Sequence, residues 1–215
     1  MIEPIGEIFN KKIKTYKVII VGDSGVGKTC ISFRVLKNKF NDKLSATVSL
    51  DVFNYQFKIN GKIIQIQFWD TCGNEEFARN TPNLFKNTSI AIIVYAINNK
   101  KSFENLNSWN NIINDYSFEC IKYLIGNKAD LENERVVSKE EGEKLKENYG
   151  FSNFIESSAK TGINIIELLE NISISIYEKY VKNNADNNSA DSISLRKEDL
   201  KKNKKNKNKR NNCCE

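Results

Sequence analysis

Histidine is absent from all 215 residues. That absence excludes a Ser-His-Asp triad, a Cys-His nucleophile and any imidazole-ligated metal in one step. Proline occurs only twice, so neither a collagen-like nor a proline-rich low-complexity chain is in view. No apolar run approaches the roughly 20 residues that span a bilayer, and Met1 to Asn10 lack the charged-then-apolar layout of a secretory signal. Cysteine is present but odd in number and scattered: Cys30, Cys72, Cys120, Cys213 and Cys214. Such a set reads as reduced cytosolic thiols, not as a disulfide framework.

What is present suffices for one domain with a continuous core, since 40% of the residues are hydrophobic. The net charge of +6 is concentrated at one end. Residues 196–210 carry +7 and Glu215 returns one charge, which leaves residues 1–195 neutral. Whole-chain basicity therefore says nothing about a nucleic-acid-binding core, and the tail has no aromatic residue on which bases would stack. From Asn183 onward the chain is rich in Asn, Asp, Ser and Lys, too polar to offset its chain entropy by burial. Three regions follow: a loose arm over 1–12, a folded domain over 13–182 and a disordered basic tail over 183–215.

Within the folded region apolar runs and helical patterns alternate. Tyr16 to Val21, Ser89 to Ala96 and Ile121 to Ile125 are continuous apolar runs, as in strands covered on both faces. Val48 to Ile59 and Lys62 to Trp69 are strand-like and joined by Asn60-Gly61, a strong two-residue hairpin signal. Phe151 to Ile155 is a further short strand candidate. Val26 to Lys39 looks helical, Ser102 and Ser138 read as caps of two more helices, and Gly162 precedes the last. In that last segment Ile165, Leu169, Ile172, Ile176 and Tyr180 form one apolar stripe. The alternation predicts an α/β sheet, mostly parallel, with one antiparallel strand pair.

Gly22-Asp23-Ser24-Gly25-Val26-Gly27-Lys28-Thr29 fits the phosphate-loop pattern and lies between a predicted strand and a predicted helix. Its glycines permit backbone conformations that let successive N–H groups converge on phosphates. The helix N-terminus adds partial positive charge. Lys28 would reach the β- and γ-phosphates, and the Thr29 hydroxyl would ligate Mg²⁺. Asn127-Lys128-Ala129-Asp130 follows an apolar strand, at the end of the sheet where open α/β folds bind ligands. An aspartate there accepts from guanine N1–H and the 2-amino group together. Adenine offers a lone pair at N1 and no amino group, so the carboxylate would be left unpaired. Charge-assisted hydrogen bonds are worth roughly 1.5–3 kcal/mol each, and such sites reject an analogue by about 10⁴-fold or more. Ser158-Ala159-Lys160 would close the base pocket with backbone N–H groups. A phosphate-loop kinase or ATPase competes as a reading on the first motif alone, but not on the two together.

The phosphate loop, Trp69-Asp70-Thr71-Cys72-Gly73, Asn127-Lys128-Ala129-Asp130 and Ser158-Ala159-Lys160 together resemble the Ras superfamily of small GTPases. Among its branches the Rab regulators of membrane traffic are the most similar. The resemblance covers about residues 14–182 and implies a six-stranded sheet flanked by helices on both faces. It implies Mg²⁺, with GTP as substrate and GDP as product. It also implies an exchange factor, an activating protein, effectors and an escort- or GDI-type chaperone acting on a monomer. Ser24 to Cys30 would wrap the phosphates, and Thr47 stands where the first switch places a Mg²⁺-contacting threonine. Asp70 matches the aspartate that holds Mg²⁺, and Gly73 the glycine whose N–H meets the γ-phosphate. Loss of that phosphate would release both switch segments.

The family usually reads Asp-Thr-Ala-Gly-Gln-Glu where this chain has Cys72 for alanine and Asn74 for the glutamine that orients the attacking water. Asparagine carries the same amide about 1.5 Å short of that place, and a misplacement near 1 Å costs about 10²-fold. Slow intrinsic hydrolysis is the expectation. Rab-type activating proteins supply arginine and glutamine in trans, so stimulated turnover need not be lost. The ending Asn211-Asn212-Cys213-Cys214-Glu215 is not a C-a-a-X box. Paired terminal cysteines after a basic stretch resemble Rab tails carrying two geranylgeranyl groups. Two chains, or one chain with a polybasic patch, hold a membrane where one chain does so only marginally. The implied location is the cytoplasmic face of an intracellular membrane, in exchange with cytosol.

Overall fold

The apolar runs over residues 16–21, 89–96 and 121–125 each lie within a strand, and the strands join in one sheet. A computed structural model describes residues 2–6, 13–41 and 50–182. Thr47, Val48 and Ser49, residues 7–12, and the tail with Cys213 and Cys214 lie outside the described residues. The strands are β1 (Ile2–Gly6), β2 (Thr15–Val21), β3 (Asp51–Ile59), β4 (Lys62–Asp70), β5 (Thr88–Ala96), β6 (Ile121–Asn127) and β7 (Asn153–Glu156). Their spatial order is β1-β3-β4-β2-β5-β6-β7. From β4 to β7 every pairing is parallel. In β5 all nine residues are buried, as a central strand covered on both faces requires.

The sheet departs from the expectation in one respect. It has seven strands, because Ile2–Gly6, expected to be part of a loose arm, pairs antiparallel with β3. The second antiparallel pair is the expected hairpin β3–β4. Its turn residues Asn60 (φ 49°) and Gly61 (φ 77°) both take positive φ, the geometry whose twist matches a two-residue hairpin.

The α-helices among the described residues are α1 (Lys28–Lys37), α2 (Glu75–Arg79), α3 (Lys100–Glu104), α4 (Leu106–Ser117), α5 (Lys139–Tyr149) and α6 (Ile165–Ile176). Strand register sets Tyr16, Tyr55, Phe57, Ile64 and Ile66 on one face, and α1 and α6 line a cavity with Tyr55 and Phe57 there. Ile19, Val21, Ile93 and Tyr95 point the other way, into a core shared with Trp109, Ile112 and Ile113 of α4. Helix α1 is shorter than Val26–Lys39, since Gly27 (φ 98°) and Asn38 (φ 49°) bound it in left-handed conformations. Ser102 is not a cap. Asn99 caps α3 by accepting from the Ser102 N–H at 3.2 Å, and the helix breaks at Asn105 before α4 begins. Ser138 does cap α5, in a capping box with Glu141. In α6 Leu168, Ile172 and Ile176 are fully buried and Ile165 nearly so, whereas Leu169 is only half-buried. Two units divide the chain after Ser175. The described part of the second includes the π-helical segment Tyr177–Lys182.

Candidate functional site

The parallel strands end side by side, and the loops that leave them carry the motif residues. The loop after β2 is shaped by glycines that nothing larger could replace. Gly22 has φ +141°, and a Cβ there would lie 2.2 Å from the Val94 carbonyl oxygen. A Cβ on Gly27 (φ +98°) would lie 2.3 Å from Asn127 Nδ2. Ser24 and Gly25 stay exposed at the loop tip, and Val26 is buried beneath it. Thr29 and Cys30 stand half-buried in the first turn of α1.

Lys28 is buried, and its ammonium donates to the carbonyls of Gly22 and Asp23, both at 2.8 Å. The charge that would meet the phosphates therefore also holds the loop curled. Burial pushes the Lys28 pKa down to about 8, against the opposing pull of Asp70, Asp23 and Cys72. In this state the ammonium costs stability at neutral pH, and the cost is relieved as pH rises from about 8 toward 10.5. Binding a polyphosphate requires the ammonium. Nucleotide affinity is therefore expected to fall as pH rises through about 8, by up to about tenfold per unit above it. Affinity measured at several pH values with Lys28 and with Lys28→Arg checks this: the arginine variant, always charged, should lose that dependence.

The base-side loops are tied to the phosphate loop by one side chain. Asn127 ends β6, donates to Val26 O at 2.8 Å, and accepts from Ala159 N at 3.2 Å. Its amide is thus engaged by protein, linking three loops, where the sequence reading placed it among the nucleotide contacts. Lys128 takes φ 67°, which turns the chain so that Asp130 follows on the rim. Ser158 donates to Asp130 Oδ1 at 2.5 Å and accepts from Thr161 N at 3.1 Å. Lys160 is exposed beside them. Arg34 lies outside every motif of the sequence. From α1 it donates to Ala159 O at 2.8 Å and to Lys160 O, fixing the loop that would close over the base. No local signal marks a contact 125 residues apart.

Asp70 ends β4, and Thr71, Cys72, Gly73 and Asn74 follow it at this same end of the sheet, beside the phosphate loop. Thr71 donates to Ile20 O at 2.8 Å and so holds this loop to β2. Gly73 lies against the phosphate loop, where a Cβ would come 2.1 Å from Ser24 N. Asp70 is fully buried and, among the described residues, neither carboxylate oxygen has a well-formed hydrogen bond. Burial raises its pKa to about 6, with the Thr29 hydroxyl and Lys28 acting in the opposite direction. A buried carboxylate with open lone pairs beside a threonine hydroxyl suits a hard, oxygen-seeking cation. Among the described residues no three acidic or thiol side chains converge. A cation here would complete its shell with phosphate oxygens and water, the way Mg²⁺ is commonly bound. The residues fit Mg²⁺.

The described helices include none long and apolar enough to cross a membrane. Comparison with known proteins gives concordant matches. The Ras family pattern matches residues 17–178. The Ras-related protein Rab-8B of Bos taurus is 37% identical over 174 residues, covering 80% of this chain and 84% of the relative. Rab-8B of Homo sapiens gives the same identity and coverage. The Ras-related protein Rab-8A of Bos taurus is 41% identical over 151 residues, covering 70% of this chain and 72% of the relative. The phosphate-loop motif, the buried carboxylate of Asp70 and the Asn127-Lys128-Ala129-Asp130 loop at one end of the parallel strands agree with those matches: the chain belongs to the Ras family of small GTPases and is Rab-like within it.

Proposed function

We propose that this protein is a Mg²⁺-dependent GTP-binding and GTP-hydrolysing switch of vesicle traffic, held at an intracellular membrane by prenylated Cys213 and Cys214 and the basic tail. The observation that carries the reading is that Lys28, opening α1 after β2, Asp70, ending β4, and Asp130, just after β6, stand at one end of the parallel strands. Lys28 and the loop N–H groups bind the phosphates. Thr29, Asp70 and Thr47 hold Mg²⁺, which when bound neutralises charge on the phosphates. Asp130 selects guanine, and the N–H groups of the Ser158-Ala159-Lys160 turn close over the base. Gly73 senses the terminal phosphate through its N–H, and Asn74 orients the attacking water. Exchange factors, activating proteins and effectors are partners expected of the family.

The direct test is chemical identification. Protein isolated from its native cells should carry GDP or GTP in near-equal ratio to chain, and its C-terminal peptide should carry two isoprenoid masses. Nucleotide without isoprenoid would leave the switch and remove the anchor; neither would sink the reading.

A second reading, a GTP-bound scaffold that does not cycle, is favoured by Asn74 alone. The two diverge on stimulated turnover: an activating protein should accelerate GTP hydrolysis by a switch and leave a scaffold's GTP intact. Asn74→Gln is expected to raise single-turnover phosphate release by about 10²-fold, because it restores a reach near 1.5 Å. An unchanged rate would show that the side chain at this position does not orient the water.

A further inference from the structure

Helix α2 starts at Glu75, one residue after Asn74, and is only five residues long. Helices that short do not hold themselves in water, so tertiary contacts decide where α2 sits. Ala78 is buried in the core, which holds α2 down without fixing its rotation, since apolar burial has no direction. Direction comes from Ser108 on α4. Its hydroxyl accepts from Arg79 Nη2 at 2.7 Å and donates to Glu75 Oε2. Glu75 and Arg79 stand at i and i+4 on α2 and pair with each other at 3.8 Å. One hydroxyl, giving one hydrogen bond and taking another, therefore grips both ends of the helix.

The N-terminal end of α4, with its N-cap residue Asn105, also grips the phosphate loop. Asn105 Nδ2 donates to Asp23 Oδ2 at 2.7 Å, and Trp109 Nε1 donates to Asp23 Oδ1 at 2.9 Å. Asp23 thus has both oxygens engaged by α4. Residues 105, 108 and 109 are spaced i, i+3, i+4 and so share one helix face. Trp109 is fully buried in the core, which makes that face a fixed reference. Asn74 moves with α2, because its carbonyl accepts from the Ala78 N–H at 3.1 Å.

We propose that Ser108 is a positioning residue: it sets where α2, and with it Asn74, sits against a phosphate loop anchored to the same end of α4 through Asp23. The inference rests on the reading of Asn74 given above. With a side chain one methylene short of glutamine, the place from which it reaches matters more than usual.

The test uses the full chain loaded with GTP and Mg²⁺. Ser108→Ala should slow single-turnover hydrolysis about tenfold, with GTP and GDP affinities within about twofold of the parent. Amide exchange at Ala78 and Asn80, whose N–H groups bond Asn74 O and Glu76 O, should quicken about tenfold. Exchange at Ile31 in α1 should not change. Ser108→Thr, which keeps the hydroxyl, should restore both rate and protection. Parental hydrolysis together with parental exchange in Ser108→Ala would overturn the proposal. So would a uniform loss of affinity and protection across α1 and α2, which marks a merely structural residue. Were the parent itself inert toward GTP, the Asn74 reading would fail, and the exchange result would decide Ser108 alone.

Discussion

Asp130→Ala is expected to weaken GTP and GDP binding by about 10⁴-fold while ATP binding, already poor, stays where it is. Two charge-assisted hydrogen bonds to guanine would be lost, each worth roughly 1.5–3 kcal/mol. The loss is expected at the upper end because the carboxylate is held in place beforehand. Ser158 donates to one of its oxygens at 2.5 Å and is itself fixed by the Thr161 N–H. Little side-chain entropy then remains to be lost when the base arrives. Competition of GDP and ATP against a fluorescent guanine nucleotide measures the ratio directly. A variant that still prefers guanine by more than about 10³-fold would show that selectivity resides elsewhere.

Asp70→Asn is expected to act in two opposite directions. The buried carboxyl titrates at about 6 instead of 3.8, so the folded state holds a proton that the unfolded chain releases between those values. Stability of the nucleotide-free protein therefore falls as pH rises from about 4 to about 6, and stays lower above that window. Two pKa units correspond to about 3 kcal/mol. Asparagine carries no charge to bury and should recover up to about that amount at pH 7.5, with little gain at pH 4. Urea denaturation of nucleotide-free, EDTA-treated protein at the two pH values reads it. With GTP and Mg²⁺ present the ranking should reverse, since the neutral amide is a poor ligand for a hard cation and the Mg²⁺-dependent part of affinity disappears. Equal stability of the two proteins at both pH values would mean that Asp70 is solvated or paired after all.

The motifs were legible because each is local. Gly22 to Thr29 states its own backbone requirements, and Asn60-Gly61 encodes a turn in two residues. The apolar run of β5 can only be central. What escaped was long-range. Nothing in Ile2–Gly6, five residues with a proline and a glycine, announces a strand, and its pairing is supplied by the free edge of β3. Ser102 supplies the N–H that Asn99 caps, and its own hydroxyl is taken up by the Ala96 N–H at 3.1 Å and the Asn99 carbonyl at 2.7 Å, ties that its sequence position does not reveal. Asp23 reads as a variable loop position, yet its partners Asn105 and Trp109 lie more than 80 residues away. Asn127 reads as a nucleotide contact, and no local signal shows its further ties to Val26 and Ala159, which are tertiary.

The antiparallel seam between Ile2–Gly6 and Gln56–Ile59 runs toward the hairpin tip at Asn60-Gly61, away from Asp51 and the phosphate end. Shortening the gene at its start would strip that seam and bare four backbone rungs of β3, a sticky border that invites filament-like association between molecules. A purification or fluorescent tag joined ahead of Ile2, by contrast, would start beside Ile59 and the hairpin tip, at the other end of β3 from Asp51.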